Sequence, residues 1–319
     1  MLELDKNLRQ KFEEAAEKMR LRLKQRPSLK TLRNAIVNKG VGTFNKCQRL
    51  DRQDLLNFVD KGKIVGVDGS SNSSKGHFPY IVTLQQAMAK TCSNDMKTIT
   101  ATDALSPLTM DTLLTEDEYR DFAKRNLAVL ELRAALAAIE EFVPKVMLLD
   151  GSLVRYKIEA AALWEKLKSL ALARDTILVG VVEGISTNLI SQCLRGELPE
   201  IIHQASDWEI LFGLLEVGER LEIAQGLFKE GFRTFFMRSS TDPKPIGIDL
   251  LEEQQLYLKE VANLVYTLTP KDGRGIPLWL DIIDATVRIS DRVMEGLLST
   301  YLGEDYAELI RPKREKREF

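Results

Sequence analysis

The sequence predicts an α/β protein, a mixed sheet flanked by helices, with a helical extension at its N-terminus. Short apolar runs at 64–67, 78–89 and 96–104 follow one another with only polar connections, as consecutive strands do. From Thr115 onward helical and strand-like patterns alternate, which adds parallel strands to that early group. Ahead of both, residues 2–25 carry Leu4, Leu8, Phe12, Ala15, Ala16, Met19 and Leu23 at helical spacing, closed by Pro27.

The elements follow in order. Ile64-Val65-Gly66-Val67 reads as a buried strand entering a turn at Asp68-Gly69-Ser70. A long helix is expected over 115–142, opened by the capping box of Thr115 with Glu118 and stopped by Pro144. Val146–Leu149 repeats the first pattern, an apolar run into Asp150-Gly151-Ser152. A helix over 154–173 then leads to a strand at 177–182. Residues 207–227 and 251–266 are ambiguous, a strand pair is expected at 234–237 and 246–249, and a last helix spans 277–298. The expected organisation is a basic helical extension (1–59), one principal domain (60–300) and a basic tail (301–319).

Composition narrows the class. With 319 residues, 44% hydrophobic and 29% charged, the chain is long enough to bury a core without disulfides or structural metal. Cys47, Cys92 and Cys193 are scattered and form no CxxC pair, which suits a reducing compartment, and no apolar run approaches the roughly 20 residues that span a bilayer. A cytoplasmic protein without a membrane partner is expected. The formal charge of −2 conceals a segregation: residues 18–49 hold ten basic side chains, Lys30 and Arg33 among them, and no acid. A second cluster at Arg311, Lys313, Arg314, Lys316 and Arg317 closes the chain. Such segments suit a polyanion, although charge runs are more often solvated helix faces.

The acids carry the chemistry. Asp68 and Asp150 each follow a buried strand and precede Gly-Ser. At the carboxyl ends of neighbouring parallel strands, two such aspartates converge on one crevice, and keeping both ionised calls for a cation. An all-oxygen site of this kind suits Mg²⁺ or Mn²⁺. Glu131, with Leu127, Ala128, Ala134 and Ala135 about a turn away, lies on a small apolar helix face that directs a carboxylate toward the sheet, the bland alternative being a stem that snorkels to water. Asp281 and Asp284 lie one turn apart among Leu280, Ile283 and Val287. Asp284 is preferred as the fourth ligand, and dipole partnership at a helix start is the structural alternative for either. With only His77 and His203 in the chain, a histidine base or histidine-rich zinc site is disfavoured.

An acid on a first strand, one on the helix after three strands, one on a fourth strand and one on a late helix resemble the order in ribonuclease H-like nucleases. Within that group the chain is similar to the NurA family over about residues 60–300. The similarity rests on Val67-Asp68-Gly69-Ser70, Glu131 ahead of Leu148-Leu149-Asp150-Gly151-Ser152-Leu153, Asp207 through Leu214-Leu215-Glu216-Val217-Gly218-Glu219-Arg220, Pro245-Ile246-Gly247-Ile248-Asp249 and Gly275-Ile276-Pro277-Leu278. The resemblance implies a manganese-dependent nuclease combining 5′-to-3′ exonuclease with single-strand endonuclease action at DNA ends. It also implies a homodimer that works with HerA, a hexameric translocase. Asp68, Glu131 and Asp150 fall where the family has metal-binding acids. Asp284 stands where archaeal members have histidine, Ile276 near a tyrosine and Glu183 where many have lysine; the last two replacements cannot make the same polar contacts.

Other side chains divide between surface and site. Arg238 and Lys244 near the strand pair are candidates for phosphate contact, as are Lys30 and Arg33. Arg220 is explained equally by a helical salt bridge to Glu216, and Trp164, Trp208 and Trp279 read as core. Two rivals remain: an ATP-binding protein of the actin and sugar-kinase type, which would need two related lobes, and a noncatalytic adaptor that keeps the fold. No GxxxxGK[ST] loop is present.

Overall fold

The computed structural model describes residues 5–60, 64–93, 96–197, 199–200, 203 and 205–310. Nine strands form a single sheet: β1 (Gly42–Lys46), β2 (Ile64–Ser73), β3 (Thr83–Thr91), β4 (Thr98–Leu105), β5 (Val146–Asp150), β6 (Ile177–Val182), β7 (Glu219–Ile223), β8 (Phe232–Arg238) and β9 (Ile246–Leu251). Their order is β1-β7-β8-β9-β6-β5-β2-β3-β4. β2, β3 and β4 make an antiparallel meander, while β5 lies parallel to β2 and β6 parallel to β5. That five-stranded arrangement is the ribonuclease H-like core. β9, β8, β7 and β1 extend it by successive antiparallel pairings. One continuous sheet among the described residues leaves no pair of related lobes, so the actin and sugar-kinase reading fails.

Eleven helices flank the sheet in the described residues: α1 (Lys6–Lys24), α2 (Leu29–Asn38), α3 (Arg52–Asp60), α4 (Glu116–Phe142), α5 (Leu153–Glu159), α6 (Ala161–Ala173), α7 (Leu189–Cys193), α8 (Asp207–Leu211), α9 (Leu258–Leu268), α10 (Leu278–Val287) and α11 (Asp291–Ile310). α4 forms where its capping box is complete at Thr115 and Glu118, and it ends as Val143 turns left-handed before Pro144. Its buried Ala128, Ala134, Ala135 and Ala138 bring the helix close to the sheet, packed with Val65, Val67, Met147 and Leu149. The opposite face carries α9 and α10, whose Val261, Val265 and Leu280 pack with Ile64, Val146, Leu148 and Ile248. A third cluster joins α2, α7 and α8 to the extension strands.

Several expectations are corrected. β2 does not turn at Asp68-Gly69-Ser70 but runs on to Ser73, because its pairing with β3 continues to Thr83. The strand expected over 78–89 begins only at Thr83, after a turn. The helix expected over 154–173 is two, broken at Ala160 (φ −145°, ψ 49°). The late helix is also two, because Arg288 is extended and the Ile289 backbone is held by β2: its N–H donates to Ser70 Oγ at 3.1 Å and its carbonyl accepts from Asn72 Nδ2 at 3.0 Å. Arg220 lies on β7, not on a helix. It pairs with Glu222, while Glu216 is taken by Lys46. Trp164 and Trp279 are buried as expected, but Trp208 is 36% exposed and packs at a tilt against the Phe212 ring, 5.2 Å between centroids.

Candidate active site

Parallel register brings the first two acids together. Val67 pairs with Leu149, so the next residues, Asp68 and Asp150, follow on adjacent strands, which in a sheet run about 4.8 Å apart. Strand alternation then fixes their direction. A Cβ at Gly66 would run into Ile283, Trp279 and Leu280, so the even-numbered face of β2, Asp68 included, looks toward α10. Asp68 is only 6% exposed. Burial first, and then the charge of Asp150, raise its carboxyl to about 7; the Gly69 N–H, donating to Oδ1 at 2.7 Å, works the other way. Burial raises Asp150 to about 6, opposed chiefly by the Arg274 guanidinium.

Glu131 approaches from the other side. A Cβ at Gly69 would stand 2.5 Å from its Oε1 and 2.9 Å from its Cγ, so this glycine provides the gap through which α4 presents its acid to β2. At 2% exposure Glu131 does not snorkel; it pairs with Arg155 of α5. Asp284, on α10, pairs with Arg288 at 2.7 Å and acts electrostatically on both Asp68 and Asp150. Asp281 is engaged by Arg274, whose other amine holds Glu183 at 2.9 Å. Ile276 lies in the core and supplies no polar group.

As these side chains stand, no three acidic, imidazole or thiol groups among the described residues are gathered closely enough to share one ion. The donor chemistry nonetheless fits a divalent cation. A buried and a half-buried aspartate lie on adjacent strands with their carboxyls held above the ordinary range by burial and repulsion, the condition that a hard cation relieves. Glu131 and Asp284 are each held by one arginine at the margins.

The expected phosphate contacts divide. Arg33 donates to both oxygens of Glu219 (2.7 and 2.8 Å) and lies over the Phe44 ring, while Arg238 donates to the carbonyls of Leu215, Thr241 and Asp242. Both half-exposed guanidinium groups thus have partners within the fold. Lys30 and Lys244 remain exposed. The basic cluster at 311–319 lies outside the described residues.

Arg155, Arg274 and the buried Asp249 were not anticipated. Asp249 accepts from Lys229, Ser152 and Thr234, and so ties β9 to the turn after Asp150. Only Asp249 had a signal: an acid inside Ile246-Gly247-Ile248-Asp249-Leu250-Leu251 must be paired to be buried.

A ribonuclease H-like sheet carrying acids on its first and fourth core strands and on the flanking helices defines an α/β protein of nuclease architecture. The NurA domain model matches residues 62–289. The chain belongs to the NurA family of nucleases. Its structure is similar to the NurA nuclease from Sulfolobus solfataricus, with TM-score 0.59 and 15% identity over 93% of this chain and 96% of that one. Weaker likenesses are to endonuclease V from Bacillus subtilis (TM-score 0.41, 14% identity, 81% and 88% covered) and the catalytic domain of human endonuclease V (0.42, 13%, 86% and 97%). No curated protein sequence matches the chain. Among the described residues no helix is long and apolar enough to cross a membrane.

Proposed function

We propose that the chain is a divalent-metal-dependent deoxyribonuclease, a 5′-to-3′ exonuclease and single-strand endonuclease that trims DNA ends during double-strand-break repair. The observation that carries the reading is the placement of Asp68, buried, and Asp150, half-buried, on adjacent parallel strands just past the paired Val67 and Leu149, each with its carboxyl raised by burial. Those two aspartates would hold the ions, with Glu131 from α4 and Asp284 from α10 completing the set. Mn²⁺ is the preferred ion and Mg²⁺ the alternative. Bound there, two divalent ions supply an activated water and stabilise the leaving oxygen of a phosphodiester. The chain's own residues position that reaction. Asp68 and Asp150 are fixed by strand pairing, Glu131 is directed by the close packing of α4, and Asp284 is carried by a helix seated against Gly66. Lys30, Lys244 and the segregated basic segments hold the DNA backbone by charge. The physiological unit is a cytoplasmic homodimer serving a HerA-type hexameric translocase.

The test is cleavage of end-labelled linear duplex and single strands with Mn²⁺, Mg²⁺ or EDTA. Cleavage is expected with metal and not with EDTA, and Asp68→Ala should lower the rate by at least about a hundredfold. An Asp68→Ala protein that cuts as fast as the wild type removes the site. A second reading, a noncatalytic adaptor, draws on Glu183, which is bound by Arg274, and on Ile276, which is buried. It predicts a dimer that stimulates a translocase and cuts nothing in any divalent metal.

A further inference from the structure

A cleft of about 480 Å³ opens beside Asp150, between the turn after β5 and the chain that follows β6, and Arg155 forms part of its wall with Ser152, Thr187, Phe228 and Lys229. Its volume is that of a pocket for one small ligand, and a nucleotide is of that size. The cations in it are not equivalent. Lys229 is spent: its ammonium donates to both oxygens of Asp249 (2.8 and 2.7 Å) and to Ser152 Oγ at 3.0 Å. Arg155 is not. One amine, Nη2, pairs with Glu131, and the buried Nε forms a long ion pair with Glu159 at 3.6 Å, which leaves Nη1. Nη1 lies 3.6 Å from where a Cβ on Gly151 would be and makes no hydrogen bond among the described residues. The guanidinium lies over the Tyr156 ring, 4.5 Å from its centroid, and the side chain is 31% exposed. One unpartnered amine on a guanidinium braced by an aromatic face, beside a cleft next to a reactive carboxylate, is suited to an oxygen of a phosphodiester.

We infer that Arg155 is a phosphate-contacting residue, holding Glu131 with Nη2 and offering Nη1 to a backbone phosphate of the strand lying in this cleft. The inference rests on the nuclease reading above and names the part of the substrate that this cleft receives. Gly151, left-handed at φ +106°, leaves the approach between Asp150 and the arginine free of a side chain. Phosphate binding at Arg155 therefore registers the strand against Asp150 directly, through the β5–α5 turn and not through a surface lysine.

The experiment measures binding of a single-stranded oligodeoxynucleotide to the full chain in EDTA, over a range of salt concentrations. Arg155→Ala should weaken binding about fivefold or more and lower the slope of log affinity against log salt by about 0.7, the loss of one phosphate contact on a single strand. Arg155→Lys should keep the slope, since the charge remains, but bind more weakly than wild type because the fork is lost. Because Arg155→Ala strands a buried Glu131, the double variant Arg155→Ala with Glu131→Gln is measured beside it and should show the same lowered slope. Unchanged affinity and slope in both alanine variants would overturn the inference, as would a weakening in all three variants with no change of slope, which would assign Arg155 to the fold of the turn. Wild-type protein that binds no DNA and cuts none would instead remove the nuclease reading itself.

Discussion

At the scale of single residues, Asp68 and Asp150 impose a cost on the metal-free fold that has a definite sign. Their carboxyls sit at about 7 and about 6 in the folded chain, above the ordinary aspartate value they regain on unfolding. Below about pH 3 both states are protonated and the pair costs nothing. As the pH rises from there to about 7 the unfolded chain ionises first, so stability falls, and above that range the loss is complete. Asp68→Asn and Asp150→Asn should therefore melt at a higher temperature than wild type at pH 8 in EDTA, with the gain much reduced at pH 5. A melting temperature lowered by both substitutions at pH 8 would show the carboxylates to be stabilising. Divalent ions should act in the same direction as the substitutions, raising the wild-type midpoint at pH 8 and leaving Asp68→Asn far less affected, as thermal melts with and without Mn²⁺ would show. Asp68 and Asp150 were legible in the sequence because two strand-end Asp-Gly-Ser copies are visible in one dimension. Arg155 was not, because its contact with Glu131 joins two helices 24 residues apart and no local pattern records it.

At the scale of elements, α4 and β2 depend on an absent side chain. A methyl group at Gly69 would meet Glu131 Oε1 at 2.5 Å and Leu127 Cδ1 at 2.9 Å, separations that real Cβ atoms do not show. Gly69→Ala should therefore displace the Glu131 side chain or lift α4. The expected outcome is a folded protein, destabilised by about 1–3 kcal/mol as overpacked sites are, with nuclease activity reduced by about tenfold or more. Denaturant unfolding and the cleavage assay check it together; full activity would show that Glu131 has no part in the site. The sequence carried α4, β5 and β6 nearly to their observed ends, since a capping box, Pro144 and uninterrupted apolar runs are local signals. It misjudged β2, whose second half is polar and persists only because β3 pairs with it. It also read straight through Ala160 and Arg288, where the periodicity continues but the backbone leaves the helix to keep α5 beside Asp150 and to tie Ile289 to Ser70 and Asn72.

At the scale of the whole molecule, the sheet is asymmetric in what it needs. The core strands and their extension share buried clusters with α2 through α10, yet α1 buries none of its residues, and Leu8, Phe12, Met19 and Leu23 are more than half exposed. Among the described residues, the hydrogen bonds and ion pairs between its side chains and the rest of the chain come down to Arg22 with Glu209, an exposed pair worth about 0–1 kcal/mol, after which Arg26 anchors the chain on the carbonyls of Ile210 and Phe212. The helical extension thus behaves as an arm, and its exposed Lys18, Arg20 and Lys24 belong to the acid-free basic run. Deleting residues 1–24 should leave the melting temperature within about 2 °C of the full chain, because no core surface is lost. If the arm lies along DNA, as the nuclease reading requires of the basic segments, the same deletion should flatten the salt dependence of single-strand binding by about 0.7 for each phosphate released, while the cleavage of short oligonucleotides at saturating concentration is kept. A deletion that lowers the midpoint by many degrees would show that α1 is covered in solution by a second copy or another element. One that leaves binding and its salt slope untouched would move the DNA path away from the arm and toward the far end of the sheet.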